Sequence, residues 1–154
     1  MKAWDLGYEE AKNKALSIYS VIGSTRCEAL GGEEIYFTRA GFSHLVRKGK
    51  NPRTHTEQMK RFSLIPLAVQ ILNNPQAAVE YRKDERSVEL ESNGEKIKVI
   101  SVAEFWTFAE KVGDCTIKVV VRHLSVGGHK HFFSIMGDNV VVEKGQYKDK
   151  KSRR

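Results

Sequence analysis

The residues best suited to chemistry begin in the segment Ile35-Tyr36-Phe37-Thr38-Arg39-Ala40-Gly41-Phe42-Ser43-His44-Leu45, where an apolar strand runs into a short helix. Arg39 stands at that junction and His44 about one turn further on. An imidazole changes charge near neutral pH, so His44 could take a proton from a hydroxyl or, once protonated, give one to a leaving oxygen. Arg39 near a helix N-terminus adds a guanidinium to backbone N–H groups that together favour a phosphate. His55 follows in a basic, breakable segment with Lys48, Lys50, Pro52 and Arg53, and Lys60 and Arg61 come on the next helix. A loop histidine can reach over a substrate, but loops also collect polar residues that do no chemistry, so both readings of His55 stay open.

A second cluster lies near the C-terminus, in Arg122-His123 and His129-Lys130-His131-Phe132-Phe133-Ser134. A tight turn at Gly127-Gly128 would pair the flanking strands and bring Arg122, His123, Lys130 and His131 onto neighbouring rungs. Strand alternation would then put Lys130, Phe132 and Ser134 on one face and His131, Phe133 and Ile135 on the other. The pattern His-x-His could serve a metal, yet no carboxylate or cysteine follows at ligand spacing, and no metal or cofactor is expected. A phosphate-cradling glycine loop, a G-x-S-x-G elbow and a dense acidic cluster are all missing, which points away from an ATPase, an esterase and a two-metal nuclease. Acid–base chemistry by side chains remains open.

The elements that must position these groups read as helices first and strands after. Ala11, Ala15, Ile18, Tyr19 and Ile22 recur at helical intervals from about Tyr8, with Gly23 as terminator. The glycines at 31 and 32 separate that helix from a strand at Glu34 to Thr38. Thr38 can cap a helix from Arg39 or Ala40 to about Val46, ended by Gly49. A further helix begins near Thr56 and either kinks or divides at Pro66 before Asn73-Asn74-Pro75 closes it. Beyond Pro75 the pattern alternates. Strands are predicted around Val79 and Tyr81 and around Val88 and Leu90, with Lys83-Asp84-Glu85-Arg86 turning between them. Asn93-Gly94 is a hairpin signal, because both central residues of a type I′ turn need positive φ. Strands Lys96 to Val102, Thr116 to His123, Lys130 to Met136 and Val140 to Val142 complete the run, while Ala103 to Val112 fits neither helix nor strand cleanly.

This order predicts an α+β fold, with N-terminal helices packed on one face of a four- to five-stranded antiparallel meander sheet. A chain of 154 residues suits one domain, taken as 1–147 with a basic tail at 148–154. Its 26 Lys and Arg against 19 Asp and Glu favour an acidic partner. The tail supplies five of those cations against one carboxylate, so the remainder is only modestly basic. Cys27 and Cys115 match no metal or redox spacing and read as free thiols. No signal sequence or membrane-spanning stretch is evident, which suggests a soluble chain acting in the cytoplasm.

The strand-helix segment 35–45, His55, the apolar helix ending Ile71-Leu72-Asn73-Asn74-Pro75, Val119-Val120-Val121-Arg122 and Lys130-His131-Phe132-Phe133-Ser134 together resemble the phage and polymorphic-toxin nucleases of the barnase, EndoU, colicin and RelE-like superfamily. The resemblance implies helices on an antiparallel sheet, with RNA cleaved at their junction without a metal to leave a 2′,3′-cyclic phosphate. Carried over, it implies that Arg39 holds the scissile phosphate, His44 acts as base or acid, and Arg122 and Ser134 sit beside the substrate. Lys130 or His131 becomes a second proton carrier or transition-state cation. The resemblance covers roughly 34–137 as the family-like core and leaves 1–30 as an N-terminal helical extension; His55 matches a second histidine of related sequences but follows a longer loop. His55, Lys60, His123 and Lys130 are the candidate substrate contacts. The expected function is a metal-independent endoribonuclease, a toxin domain acting on RNA with tRNA among the candidates, and an immunity or antitoxin protein is a candidate partner. A non-catalytic RNA-binding module and a phage structural protein are the alternatives.

Overall fold

A computed structural model describes residues 3–124 and 127–138. Along the chain come α1 (Ala3–Ile22), β1 (Ser24–Cys27), a 3₁₀ turn (Glu28–Leu30), β2 (Glu33–Tyr36), α2 (Arg39–Val46), the short strands β3 (Arg47–Lys48) and β4 (Asn51–Pro52), and α3 (His55–Asn73). Four long strands follow: β5 (Ala78–Ser92), β6 (Glu95–Val112), β7 (Cys115–Leu124) and β8 (Gly127–Gly137). The fold is α+β, with three helices and a mostly antiparallel sheet.

The main sheet has six strands in the order β1-β2-β8-β7-β6-β5, more than the four or five expected. The addition is β1, whose Ser-Thr-Arg-Cys sequence is too short and polar to show a period of two. Gly23, at φ +63°, reverses the chain out of α1, and Gly31 and Gly32, at φ +72° and +82°, return it as β2. Among the described strands only β2 and β8 run parallel, with Tyr36 opposite His131. That parallel pair closes what would otherwise be a plain meander.

Three expectations about boundaries change. Lys83–Arg86 form no turn: they lie inside β5, paired with Ser101–Glu104 of β6. The charge run signals an exposed edge strand rather than a bend, and its charges pair two apart on the same face, Arg82 with Asp84 at 3.2 Å and Lys83 with Glu85 at 4.0 Å. Ala103 to Val112, ambiguous by pattern, is strand throughout. Past the pairing of Ala103 with Leu124, β5 and β6 continue without β7 as a two-stranded ribbon ending at Asn93-Gly94, whose φ values of 54° and 80° bear out the hairpin reading.

Helix α2 ends at Val46, and Gly49 sits in the turn between β3 and β4 instead of terminating the helix. Helix α3 runs unbroken through Pro66, which is exposed. It starts one residue before the predicted Thr56, because Thr54 is its cap and Thr54 Oγ1 accepts from Glu57 N at 3.1 Å. Thr38 caps α2 as expected, accepting from Gly41 N at 3.3 Å. The predicted strand at Val140 to Val142 and the basic tail fall outside the described residues.

The core joins all three helices to the sheet: Tyr19, Leu45, Phe62, Ile65, Ala68 and Leu72 pack with Ile35, Phe108, Val119, Val121, Phe132 and Ile135. Cys27 is buried and Cys115 partly so, both as free thiols. Gly41 lets α2 approach β8 closely. A Cβ at that position would collide with the Phe132 carbonyl oxygen and the Tyr19 hydroxyl. This contact sets where the next turn of α2, and His44 with it, stands above the sheet.

Candidate active-site cleft

Between α2 and the sheet lies an open cleft of about 550 Å³. Ala40, Ser43, His44 and Arg47 form one wall; Phe105, Arg122 and Phe133 form the floor, and Arg86 and Ser101 border it from the ribbon. A β-bulge explains how Phe133 reaches it. Val120 pairs with Ser134 and Val121 with Phe132, so Phe133 is the extra residue on β8. Strict alternation therefore fails here, because Phe132, Ser134 and Ile135 are all buried while Phe133 faces the cleft.

Phe133 organises the site. The His44 ring meets it edge-on at 4.0 Å between centroids, and the Arg122 guanidinium lies over it at 4.5 Å. Phe105 contacts it at 5.5 Å and carries Arg82 on its own face at 4.4 Å. Arg122 also donates from Nε to His131 Nε2 at 3.0 Å. That bond occupies one side of the guanidinium and requires His131 Nε2 to be unprotonated. Burial and the Arg122 charge lower the pKa of His131, which keeps it neutral and accepting.

His44 is held from behind by Arg53, which the sequence marks only as part of a basic segment. Arg53, just before the α3 cap, folds back so that its Nε donates to the His44 carbonyl at 3.1 Å and its Nη2 lies 3.4 Å from His44 Nδ1. Gln58, only 2% exposed, anchors Arg53 by donating to its carbonyl at 2.8 Å, and accepts from the Tyr8 hydroxyl in turn. The His44 pKa is lowered to about 4, first by desolvation and then by the charges of Arg53, Arg61 and Arg122. At neutral pH His44 is therefore an uncharged imidazole in a field of guanidiniums. With its proton on Nε2 it accepts from Arg53 at Nδ1; accepting from a bound hydroxyl at Nε2 requires the proton on Nδ1, which faces the Arg53 donor and gives up that contact.

The other candidate residues disperse. Arg39 is exposed and lines a neighbouring cleft on the far side of α2, so the predicted pairing of Arg39 with His44 around one phosphate is not what the structure brings together. Adjacent positions on a short helix face different ways, and 39 and 44 straddle it. Ser134 is 1% exposed and accepts from Arg61 Nη1 at 2.8 Å, so it does not stand beside a substrate. Arg61 itself is buried, bonded to Glu57 at 2.9 Å and to the Ile135 carbonyl at 3.1 Å, and ties α3 to β8.

His55 stacks on Tyr8 at 3.7 Å, against α1. Lys60 lines none of the clefts described here. His123 and Lys130 belong to another cluster: His123 Nδ1 is 3.1 Å from Glu104, while Lys130 donates to Glu33 at 2.7 Å and lies 4.9 Å over the Trp106 ring. Of the four basic side chains expected on neighbouring rungs, Arg122 and His131 are the two that contact each other.

No group of three or more His, Cys, Asp or Glu side chains among the described residues could hold a metal ion. No described helix is long and apolar enough to cross a membrane. Comparisons with protein-family models, with curated proteins and with solved structures give no match for this chain.

Proposed function

We propose that the α2–sheet cleft binds the phosphodiester backbone of RNA and cleaves it without a metal, leaving a 2′,3′-cyclic phosphate. The observation that carries this reading is a neutral imidazole, His44, at the wall of an open cleft, within the fields of Arg53, Arg61 and Arg122. The guanidiniums attract an anion, and Phe133 and Phe105 offer aromatic surface beside it, a combination suited to single-stranded RNA. The likeness of the strand-helix segment and of β7–β8 to the barnase, EndoU, colicin and RelE-like superfamily agrees with this class. A toxin domain with RNA as target and an immunity protein as partner is the biological form of the proposal.

In the proposed reaction His44 takes the 2′-hydroxyl proton, the 2′-oxygen attacks phosphorus, and the bond from phosphorus to the 5′-oxygen breaks. Arg122 holds the non-bridging oxygens as charge develops. A pKa near 4 makes the free imidazole a weak base, but a bound phosphodiester offsets the arginine field and raises it. The imidazolium so formed can return the proton to the departing 5′-oxygen. One residue thus serves both proton transfers.

A non-catalytic RNA-binding module has one observation in its favour. Ser134 is buried and His131 is engaged by Arg122, so neither supplies a second proton carrier in the cleft. Incubating the protein with total RNA and with tRNA in EDTA separates the two readings. Fragments with cyclic phosphate ends that vanish in His44→Ala support the nuclease. Intact RNA that shifts on a native gel supports the binding module.

A further inference from the structure

The cleft at His44 does not end at α2. A second cleft of about 560 Å³ opens on the other side of that helix, lined by Lys12, Leu16, Tyr19, Arg39, Phe42, Val46 and others. Ser43 and Arg47 line both, so the two depressions meet along one edge of α2. The lining of the second contains Lys12, Arg39 and Arg47 and no carboxylate. None of these three cations forms an ion pair or side-chain hydrogen bond among the described residues, whereas Arg26, Arg61, Arg82 and Lys130 all have carboxylate partners. Cations gathered around one depression without compensating acids produce a local positive potential that a polyanion would neutralise.

We infer that this second cleft is a distal phosphate subsite, which receives the RNA strand as it leaves the His44 cleft and passes over α2, with Lys12 and Arg39 contacting phosphates beyond the scissile one. The inference rests on the proposed RNA reading and adds to it a preference for extended single strands. Helix α2 spans about 12 Å, so a strand crossing it covers a few nucleotides. Arg47, shared by both clefts, marks the crossing point. A dinucleotide fits the His44 cleft alone and gains nothing from Lys12 or Arg39.

The test compares the parent with Lys12→Ala/Arg39→Ala on a dinucleotide and on a single-stranded oligoribonucleotide of roughly ten residues, in EDTA. Arg39 is exposed and Lys12 half-buried, and Thr38 rather than Arg39 caps α2, so the double variant should fold. Expected is a loss of about tenfold or more in kcat/KM for the oligomer with the dinucleotide rate unchanged, and a decrease of about 1.4 in the salt dependence of oligomer binding, as two lost phosphate contacts on a single strand imply. Equal losses on both substrates, or none on either, overturn the subsite. If the parent cleaves nothing, the catalytic reading fails separately. Fluorescence anisotropy of the labelled oligomer then decides: weaker binding and the smaller salt slope in the variant support the track, and unchanged binding overturns it.

Discussion

Two neighbouring pairs on β7 and β8 meet opposite fates. Arg122 and His131 face each other across the strands, with Arg122 exposed to the cleft and stacked on Phe133. One residue further along each strand, His123 is bound to Glu104 and Lys130 to Glu33, with Trp106 beneath the ammonium. Each basic side chain of the second pair has a carboxylate partner; in the first pair, Arg122 has only a neutral imidazole. A row of basic residues can serve an anion only where the neighbouring carboxylates are engaged elsewhere, as Asp84, which also lines the His44 cleft, is with Arg82 at 3.2 Å. Here Glu33 and Glu104 come from β2 and β6 and reach one side of β7–β8 alone.

If that contrast governs function, His44→Ala should have the largest effect, lowering RNA cleavage by roughly 10²–10⁴-fold, measured as kcat/KM on a defined oligoribonucleotide. Arg122→Ala should follow with a loss of roughly 10²–10³-fold, and should raise the His131 pKa by removing the guanidinium charge that helps depress it, visible by NMR titration. Arg53→Gln tests a positioning role. Removing one of three positive charges should shift the acid limb of the pH–rate profile upward from about 4, whereas a purely structural role would lower the rate without moving the limb. At the small end, Lys130→Ala and His123→Ala should leave cleavage nearly unchanged. Comparable losses there and at Arg122 would erase the distinction between the two pairs.

The same groups give a sign to stability against pH. His44 titrates near 6.5 when unfolded and at about 4 when folded, and the His131 pKa is lowered as well. Between those values the unfolded chain binds protons that the folded chain does not. Stability should therefore fall as pH drops from 6.5 toward 4 and stay level above, a trend that denaturant melts at fixed ionic strength would reveal. Ser134→Ala should cost about 1 kcal/mol through the lost Arg61 bond.

Much of the framework could be read from residue order. Period changes separated the helices from the strands, and Thr38 and Asn93-Gly94 marked local geometry that depends only on neighbours. His44 and Arg122, singled out for their chemically distinctive side chains, do line one cleft. What the sequence withheld depends on distant partners. The bulge that frees Phe133 needs β7 beside β8, and the fate of Lys130 depends on Glu33, almost a hundred residues earlier in the chain. Arg53 was the nearest miss. Thr54-His55-Thr56-Glu57 carries a capping pattern that places Arg53 at the last loop position before α3, close behind α2. Arg39 and Ser134 were misjudged for opposite reasons, one by assuming that residues near a helix start share a target, the other because burial of a serine under Arg61 leaves no local signature.

The most direct test of a 2′-hydroxyl attack governed by His44 uses a DNA oligonucleotide carrying one ribonucleotide, assayed in EDTA across about pH 5 to 8. Expected is a single cut, 3′ to that ribonucleotide, with a cyclic phosphate end and a kcat/KM nearly flat over the range, because His44 of the free protein is already neutral there. Cleavage of the all-deoxy strand, or no cleavage of either, would contradict it.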